Sequence, residues 1–233
     1  MQEDKNIFQR AAQLLGEATM ERMARKRVII FGIGGVGSWC AEALVRTGIQ
    51  HLTIVDFDRV DVTNVNRQLM ATTQTVGQTK VEVLRERLLT INPNAEITGI
   101  ADRFCAESAS RFTLEAYDYI IDAIDSLADK ALLLLTASET QAKLFSSMGA
   151  ARKLDATKVK VAEFWKVQGD PLARALRHRF KKAQTFPMHK FQCVYSDEAP
   201  QGQGNEKGSL VHITAVFGMM LAGLVVLDIL NNS

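Results

Sequence analysis

The chain has 233 residues, of which 47% are hydrophobic and 23% charged, and its formal net charge is +2. This is the composition of an ordinary globular protein, and so small a net charge argues against a chain that binds nucleic acid over its whole surface. The three cysteines, Cys40, Cys105 and Cys193, form no C-x-x-C pair. A disulfide framework and a zinc site are therefore excluded from the prediction, and a reducing compartment is favoured.

Both ends of the sequence bear on localisation. The opening residues, MQEDKNIFQR, are charged and contain no apolar core of a signal peptide, so we expect a cytoplasmic protein. Residues 211–230 are apolar over about the length of a membrane span, yet they include His212 and Asp228. We favour a buried helix there, and peripheral membrane contact stays open as the alternative.

Apolar strands alternate with amphipathic helices in the first part of the chain. An N-terminal helix is expected to break or bend at Gly16, ahead of the first strand. The predicted strands cover residues 28–33, 52–55, 97–100, 119–123 and 144–148, and the predicted helices cover 36–47, 80–91 and 127–141. This alternation predicts a Rossmann-like α/β fold with a doubly wound, mostly parallel sheet.

The pattern changes after Gly149. Apolar residues at 159, 161, 164 and 167 indicate a later, antiparallel strand, residues 171–182 an amphipathic basic helix, and residues 199–208 a polar loop. We therefore expect a single domain over residues 1–233. Residues 1–149 would form its nucleotide-binding part, and residues 150–233 an antiparallel extension with the basic helix and the apolar terminal helix.

A glycine-rich turn lies between the first predicted strand and helix, with the sequence Gly32-Ile33-Gly34-Gly35-Val36-Gly37. Glycines allow the backbone to turn tightly and to approach phosphate groups, which the helix N-terminus stabilises. Asp56 ends the next strand, where a carboxylate can accept hydrogen bonds from ribose hydroxyls. The turn predicts a nucleotide site, and close packing alone is the alternative.

NAD and ATP fit this turn equally well, so the polar stretch after Asp56 has to decide between them. It supplies Asp58, Asn64, Arg67, Gln68 and, slightly later, Lys80. Cations and amide donors suit a triphosphate and the charge that develops at its α-phosphorus. We therefore favour ATP, while a solvated surface position for Arg67 and Lys80 is the alternative.

Two carboxylates and a serine lie at the end of the fourth predicted strand, in the sequence DAIDS. Ligands of open α/β sheets bind at this edge, and Mg²⁺ prefers carboxylate oxygens. We assign Mg²⁺ to Asp125 and include Ser126 in the nucleotide site. Asp122 is the less favoured candidate, because it can instead cap a turn or the following helix.

Together, GIGGVGS, DFDRVDVTNVNRQ, VGQTK, INP and DAIDS resemble the ThiF/MoeB/HesA family, over roughly residues 8–149. The resemblance implies an adenylating enzyme of the ligase class that uses ATP and Mg²⁺, generally as a homodimer. It places Gly35 at the phosphates, Asp56 at the ribose and Asp125 at the metal. It places Asn64, Arg67 and Lys80 at the polyphosphate, and it makes Arg10 the arginine that reaches the active site of the partner subunit. The catalytic set is then Arg10, Arg67, Lys80 and Asp125.

Family members that activate sulfur-carrier proteins usually contain two C-x-x-C zinc pairs, which this sequence lacks. Instead, SMGAARKLDATKVKV, GDPLARALRHRFKK, CVYSDE and GSLVHITAVFGMMLAG resemble a tRNA-modifying branch of the family. In that pattern Ala151 replaces a glycine or asparagine, and Ala156 replaces a proline.

The resemblance to this branch implies adenylation of the threonyl carboxylate of a modified adenosine beside the anticodon. Cyclisation with net loss of water follows, and no protein nucleophile is needed. Sulfur-relay proteins that work with a cysteine desulfurase are open as partners. Three alternatives remain: adenylation of the C-terminal glycine of a ubiquitin-like sulfur carrier, a non-catalytic adaptor, and a nicotinamide reductase.

Charge placement supports tRNA binding independently of the resemblance. No Asp or Glu occurs from residue 171 to residue 196, a stretch that contains six Lys and Arg residues: Arg174, Arg177, Arg179, Lys181, Lys182 and Lys190. Leu172, Leu176 and Phe180 share one helical face, so we expect these cations to face outward and bind RNA phosphates. A merely solvated basic helix is the alternative. Trp165 and Phe191 are expected to pack in the core rather than to stack on bases.

Overall fold

The computed structural model describes residues 6–202 and 208–231. Its main elements form a seven-stranded sheet with helices on both faces. In chain order they are α1 (Gln9–Leu15), α2 (Glu17–Arg25), β1 (Arg27–Phe31), α3 (Gly37–Thr47), β2 (His51–Val55), α4 (Lys80–Ile91), β3 (Glu96–Ile100), β4 (Tyr119–Asp122), α5 (Leu127–Ser138), β5 (Lys143–Ser147), β6 (Val159–Glu163), α6 (Pro171–Ala183), β7 (Gln192–Ser196) and α7 (Val211–Asn231).

The strand order is β3-β2-β1-β4-β5-β7-β6, and every neighbouring pair is parallel except β6 and β7. The chain moves outward in one direction from β1 to β3 and in the other direction from β4 onward. In such a sheet the crevice between β1 and β4, at their carboxyl ends, is the expected ligand site. The predicted fold class, with an antiparallel C-terminal part, is confirmed.

The sheet separates two apolar cores, because successive strand residues point to opposite faces. In β1, Val28 and Ile30 join one core, whereas Ile29 and Phe31 join the other. The first core also contains buried residues of α3, α4 and α7, and the second those of α5 and α6. All these positions exclude water almost completely, which fixes the sheet between its two helical layers.

Most predicted elements of the first part agree with the structure to within one or two residues. The break at Gly16 is confirmed: this glycine adopts φ 81° between α1 and α2. The helix predicted to reach residue 141 ends earlier, because α5 stops at Ser138 and Thr140 then caps the turn with its hydroxyl on the carbonyl of Ala137.

The C-terminal part contains one strand that the sequence did not reveal. β6 is antiparallel as predicted but ends at Glu163, so Phe164 and Val167 lie in the following turn. β7, which was not predicted, is a buried five-residue strand inserted between β5 and β6. Of the predicted polar loop, residues 199–202 and 208 are irregular, and residues 203–207 lie outside the described ranges.

The apolar helix α7 packs against α3 and buries residues along one side, from Ile213 to Ile229. Its contact with the glycine turn is close: a Cβ atom at Gly218 would lie 2.4 Å from the carbonyl oxygen of Val36. The helix is long and apolar enough, by length and composition alone, to cross a membrane. In this fold, 44% of its most apolar 18-residue window is buried. Met219 and Leu227 lie on its exposed side.

Candidate nucleotide-binding site

The glycine turn connects β1 to α3 at the crevice between β1 and β4. Gly32 adopts φ 81°, and a Cβ atom there would lie 2.8 Å from the carbonyl oxygen of Ala123. A Cβ atom at Gly37 would lie 1.9 Å from the carbonyl oxygen of Gly32, so Gly37 serves the tight entry into α3. Gly32, Gly34 and Gly35 line a cavity, where the amide groups and dipole of α3 favour an anion.

Asp56 follows β2 and forms the neighbouring wall. Its two carboxylate oxygens accept hydrogen bonds from the backbone N–H groups of Ile33 and Asp58, both at 2.9 Å. Burial raises the pKa of Asp56, although Lys80 and these two N–H groups act in the opposite direction. The carboxylate is thus held rigidly in the cavity, in a position that suits a ribose diol.

Lys80 begins α4 and is only 4% exposed, which excludes the solvated surface position. Its ammonium group lies 2.7 Å from a carboxylate oxygen of Asp58 and 3.9 Å from one of Asp56. All three residues line the cavity. Both carboxylates therefore hold the ammonium group at the cavity wall, out of bulk solvent.

The segment after Asp58 provides further polar groups, which differ in their accessibility. Arg67 lines the cavity while its guanidinium group donates to the carbonyl oxygen of Thr63 at 2.7 Å. Gln68 is buried at the cavity wall, and its side-chain oxygen has no hydrogen-bond partner among the described residues. Asn64 is buried outside the cavity lining, where its oxygen accepts from the N–H of Asp61 at 3.1 Å.

An unsatisfied buried amide such as that of Gln68 is uncommon, because leaving it unpaired costs free energy. Because an amide oxygen accepts, the missing hydrogen bond has to come from a donor, which the ribose hydroxyls or the base amino group of a nucleotide can provide. This observation fits a nucleotide in the cavity, and Asn64 fits a structural role in shaping the segment.

The loop after β4 contains the two candidate aspartates, which occupy very different environments. Asp122 is fully buried and forms an ion pair with fully buried Lys130 at 2.7 Å. It also accepts a hydrogen bond from the hydroxyl of Ser146 at 2.6 Å and another from the N–H of Ile124 at 3.1 Å. Asp122 therefore caps the turn, as the alternative interpretation held, and is buried away from the cavity lining.

Asp125 is exposed and lines the cavity together with Ser126. Within residues 6–202 and 208–231, no group of three or more His, Cys, Asp or Glu side chains could hold a metal ion. Asp125 thus fits Mg²⁺ only in combination with phosphate oxygens and water, which is how proteins usually bind this ion.

The cavity encloses about 720 Å³ and continues beyond the phosphate side to a second wall. That volume is typical of ligand pockets, which span about 300–1,000 Å³. The second wall consists of residues after β5 and at the start of α6, including Met148, Gly149, Arg152 and Leu172. The space is thus large enough for a nucleotide and for part of a second substrate.

Buried charges fix this second wall. Asp170 caps α6 by accepting from the N–H of Ala173 at 2.8 Å, and it accepts from the N–H of Gly149 at 3.1 Å. Burial raises the pKa of Asp170 despite these bonds. Lys153 is also buried, which lowers its pKa, and its ammonium group donates to the carbonyl oxygens of Ser196 and Glu198. The start of α6 and the cavity wall are therefore one rigid unit.

Sequence reasoning missed several cavity residues. Arg152 adopts φ 60°, which is uncommon for a residue with a side chain, and donates to the carbonyl oxygens of Gln201 and Gly202. Arg103 forms an ion pair with Asp129 at 2.7 Å and lies near the cavity-lining ring of Phe57. No motif marked these positions; the glycine or asparagine expected from the family pattern falls on Ala151, next to the left-handed Arg152.

The remaining predicted residues lie outside the cavity lining. Arg10 is exposed on α1 and does not line the cavity. On α6, Arg174, Arg179, Lys181 and Lys182 are exposed, as is Lys190 in the following segment. Arg177 departs from the prediction of an outward-facing cation: its guanidinium group is half-buried and donates to the carbonyl oxygens of Phe164 and Val167 at 3.0 and 2.8 Å.

The cysteines are not part of the cavity lining in the described ranges. Cys40 and Cys193 are buried in apolar surroundings, and burial raises the pKa of both thiols. Cys105 is half-buried beside the hydroxyl of Ser108, at 3.4 Å. A thiolate nucleophile is disfavoured at both buried positions, because burial favours the neutral thiol.

Residues 8–232 match the ThiF family model. The chain belongs to the ThiF family. It is 34% identical to the tRNA threonylcarbamoyladenosine dehydratase of Bacillus subtilis, over 97% of this chain and 95% of that protein. It is 39% identical to the Escherichia coli protein of the same name, over 84% of this chain and 76% of that protein.

Solved structures agree with the family assignment. The E. coli tRNA N6-threonylcarbamoyladenosine dehydratase in complex with ATP has a TM-score of 0.90 and 35% identity, and the match covers 97% of this chain and 94% of that one. E. coli MccB in complex with ATP shares the fold, with a TM-score of 0.66 at 15% identity over 99% of this chain and 65% of that one. Membership of the ThiF family thus rests on sequence and fold together.

Proposed function

We propose that this chain uses ATP to adenylate the threonyl carboxylate of threonylcarbamoyladenosine in tRNA and so drives its cyclisation with net loss of water. One observation carries the proposal: the nucleotide side of the cavity is continuous with a second wall at the start of the basic helix α6. Relatives that share most of the chain are named as dehydratases of this nucleoside, and one is solved with ATP.

In the first step, a carboxylate oxygen of the substrate attacks the α-phosphorus of ATP, and pyrophosphate leaves. The amides at the start of α3 and the cations Arg67 and Lys80 stabilise the negative charge that develops on the phosphates. Asp56 orients the ribose and thereby the α-phosphate. Asp125 would hold Mg²⁺, whose chemical contribution is to neutralise phosphate charge.

In the second step, the carbamoyl group of the same nucleoside attacks the activated acyl carbon, and AMP leaves. The carboxylate loses one oxygen to AMP and the carbamoyl group loses a proton, so the tRNA loses the elements of one water. Because the nucleophile belongs to the substrate, the burial of Cys40 and Cys193 is compatible with the reaction.

The proposal includes a homodimer in which Arg10 of one subunit completes the cavity of the other. Its support is the exposed position of Arg10 on α1, outside the cavity of its own subunit, together with the resemblance to the family. A third cation arriving at the phosphates would add to the charge of Arg67 and Lys80 in the transition state.

The test is to incubate the enzyme with ATP and tRNA that carries threonylcarbamoyladenosine, and then to measure the nucleosides by mass spectrometry. We expect the nucleoside to lose the mass of one water in an ATP-dependent manner, with release of pyrophosphate. Lys80→Ala is the matched negative control. Release of pyrophosphate only with a ubiquitin-like carrier protein, with unchanged tRNA, would overturn the proposal.

A further inference from the structure

Four aromatic rings form a column that leads from the second core to the surface beside β6. The rings of Phe191 and Phe164 stack with their centroids 5.1 Å apart, Trp165 meets Phe164 edge-on at 5.1 Å, and Phe186 lies 6.0 Å from Trp165. Phe164 and Phe191 are buried, but Trp165 is 38% and Phe186 53% exposed. The expectation that Trp165 packs in the core is therefore wrong, whereas for Phe191 it is confirmed.

The exposed end of the column is held in place by its surroundings. The hydrogen bonds from Arg177 to the carbonyl oxygens of Phe164 and Val167 lie on either side of Trp165 in the chain. After α6, Gln184 adopts a left-handed conformation, and the N–H of Thr185 donates to the carbonyl oxygen of Phe180 at 3.1 Å. This turn fixes the backbone directly before Phe186. Two large rings are thus presented to solvent on a fixed frame.

Four lysines lie within five residues of one of these two rings along the chain. Lys166, Lys181, Lys182 and Lys190 are exposed, and none forms an ion pair with any residue in the described ranges. The stretch from residue 171 to residue 196 contains no acidic residue. Aromatic rings among unpaired cations match the chemistry of single-stranded nucleic acid, whose bases stack on the rings while its phosphates meet the cations.

We propose that Trp165 and Phe186 stack on unpaired bases of the RNA whose modified nucleotide occupies the cavity. This inference rests on the proposed function, and it adds a base-stacking surface that the six predicted phosphate contacts do not include. An acidic protein could form ion pairs with the lysines, but it has no flat bases to stack on two exposed rings.

The helix α6 connects the cavity to this surface. Pro171 and Leu172, at its start, line the cavity, and Phe180 in its last turn contacts Phe164 at 6.0 Å between ring centroids. The helix has 13 residues. It is therefore about 20 Å long, which is the length of about six stacked nucleotides. Nucleotides that flank the modified base in the same loop can reach the rings.

The first experiment measures the affinity of an unmodified tRNA transcript for Trp165→Ala/Phe186→Ala protein at several salt concentrations. We expect the affinity to fall by about tenfold for each base that can no longer stack on a ring, with the same salt slope, because no charge is removed. Met188→Ala is the matched control, since Met188 is 66% exposed in the same segment but has no ring. Trp165→Phe should retain part of the affinity.

Unchanged affinity in the folded double variant would overturn the stacking surface, and so would an equal loss in Met188→Ala protein. Increased solubility or a smaller oligomer, with unchanged tRNA affinity, would assign the rings to a protein contact and also overturn it.

The second experiment uses the fluorescence of Trp165. The sequence contains two tryptophans, Trp39 and Trp165. In Trp39→Phe protein, titration with tRNA or a single-stranded RNA should quench the remaining emission, whereas an RNA duplex should do so weakly. If Trp39→Phe does not fold, the difference between wild-type and Trp165→Phe protein gives the same signal. Binding of tRNA without any quenching would contradict the proposal.

Binding of an unmodified transcript requires no chemistry, so it tests the stacking surface separately from the proposed reaction. If the wild-type enzyme does not remove water from the modified nucleoside, the proposed function fails. If it does, and the double variant has the same KM for tRNA, the stacking surface alone fails.

Discussion

The cations of this protein fall into two groups with opposite surroundings. Lys80 is buried between two carboxylates at the nucleotide side of the cavity. The cations along α6, such as Lys181 and Lys182, are exposed and have no acidic partner in residues 6–202 or 208–231. A buried, paired cation is oriented toward one ligand position, whereas exposed cations act at longer range and are screened by salt.

This difference explains how one enzyme can position ATP accurately and yet bind the RNA backbone without strict geometry. ATP is small and must be positioned to a fraction of an ångström, which requires a cation with little freedom. An RNA backbone carries many charges, so several exposed cations give affinity without strict geometry. Changes in the two groups should therefore affect different measurements.

The largest effect is expected for the nucleotide side. Asp125→Ala should reduce ATP–pyrophosphate exchange by at least about a hundredfold, because the proposed metal would lose its protein ligand beside the phosphates. Binding of tRNA should stay the same. Glu115→Gln, an exposed carboxylate outside the cavity lining, is the control. Normal exchange by folded Asp125→Ala protein at saturating Mg²⁺ would contradict the metal role.

The second prediction concerns Arg10, an exposed cation that we expect to act at the nucleotide side of the partner. Arg10→Ala and Lys80→Ala proteins should each be inactive, and their mixture should recover activity in heterodimers with one intact cavity. Subunit exchange is verified by tagging the two proteins differently. Verified heterodimers without activity would show that Arg10 does not complete the partner's site.

The third prediction contrasts the exposed cations of α6 with Arg177, the half-buried cation of the same helix. Replacing Arg179, Lys181 and Lys182 by glutamine should reduce the log–log salt slope of tRNA binding by up to about three units, with unchanged ATP affinity. Arg177→Gln should instead destabilise the fold by about 1.5–3 kcal/mol, since it removes charged hydrogen bonds to two carbonyl groups. A loss of ATP affinity in the triple variant would mean that these cations serve the nucleotide.

Arg177 also shows where sequence reasoning ends. The residues of the glycine turn, Asp56, Lys80 and Asp125 were found from motifs, because local spacing fixes their place at strand and helix ends. The burial of Lys80 and the carbonyl partners of Arg177 depend on the path of chain segments distant in sequence. A helical projection reveals which face is basic, but not that one arginine on it bends back to Phe164.

The fold shows the same limit. Five parallel strands were predicted from apolar runs in a pattern of alternating strands and helices. β7, which is as long as β1 and β2, was missed because it follows the basic segment and precedes a polar loop, outside that alternation. Its position between β5 and β6 is set by tertiary pairing, not by local pattern. The second cavity wall, with Arg152 and Lys153, depends on the same pairing and was missed with it.

The smallest effect is expected far from the cavity, where ion pairs of the buried Glu42 should stabilise the fold. Glu42 is buried in α3, and burial by itself raises the pKa of its carboxyl group. The hydrogen bonds from Arg87 at 2.6 Å and Arg46 at 2.8 Å outweigh this effect, so the pKa of Glu42 is lowered. A lowered pKa stabilises the folded state above the ordinary glutamate range, about pH 4.3, and the stabilisation is lost as pH falls through the folded value.

Glu42→Gln should therefore unfold more easily than wild type at pH 7, by about 1–3 kcal/mol, and this difference should shrink as the pH is lowered. Urea unfolding at a series of pH values measures it. Arg46→Gln, which removes one exposed partner, should have a smaller effect. A difference that grows toward acid pH would mean that the charge of Glu42 destabilises the fold.

The contact of α7 with the glycine turn has a consequence for how the protein is made. Once residues 1–149 have emerged from the ribosome, β1, α3 and β4 are present outside it. Gly35 and Val36 still lack the helix α7, which packs on them through Thr214 and Gly218. Since α3 contributes to the same core as α7, the apolar face of α3 stays uncovered until residues 211–231 emerge. Nascent chains should thus acquire ATP affinity only after residues 211–231 have emerged, and ribosomes stalled before residue 211 should expose a surface that chaperones bind.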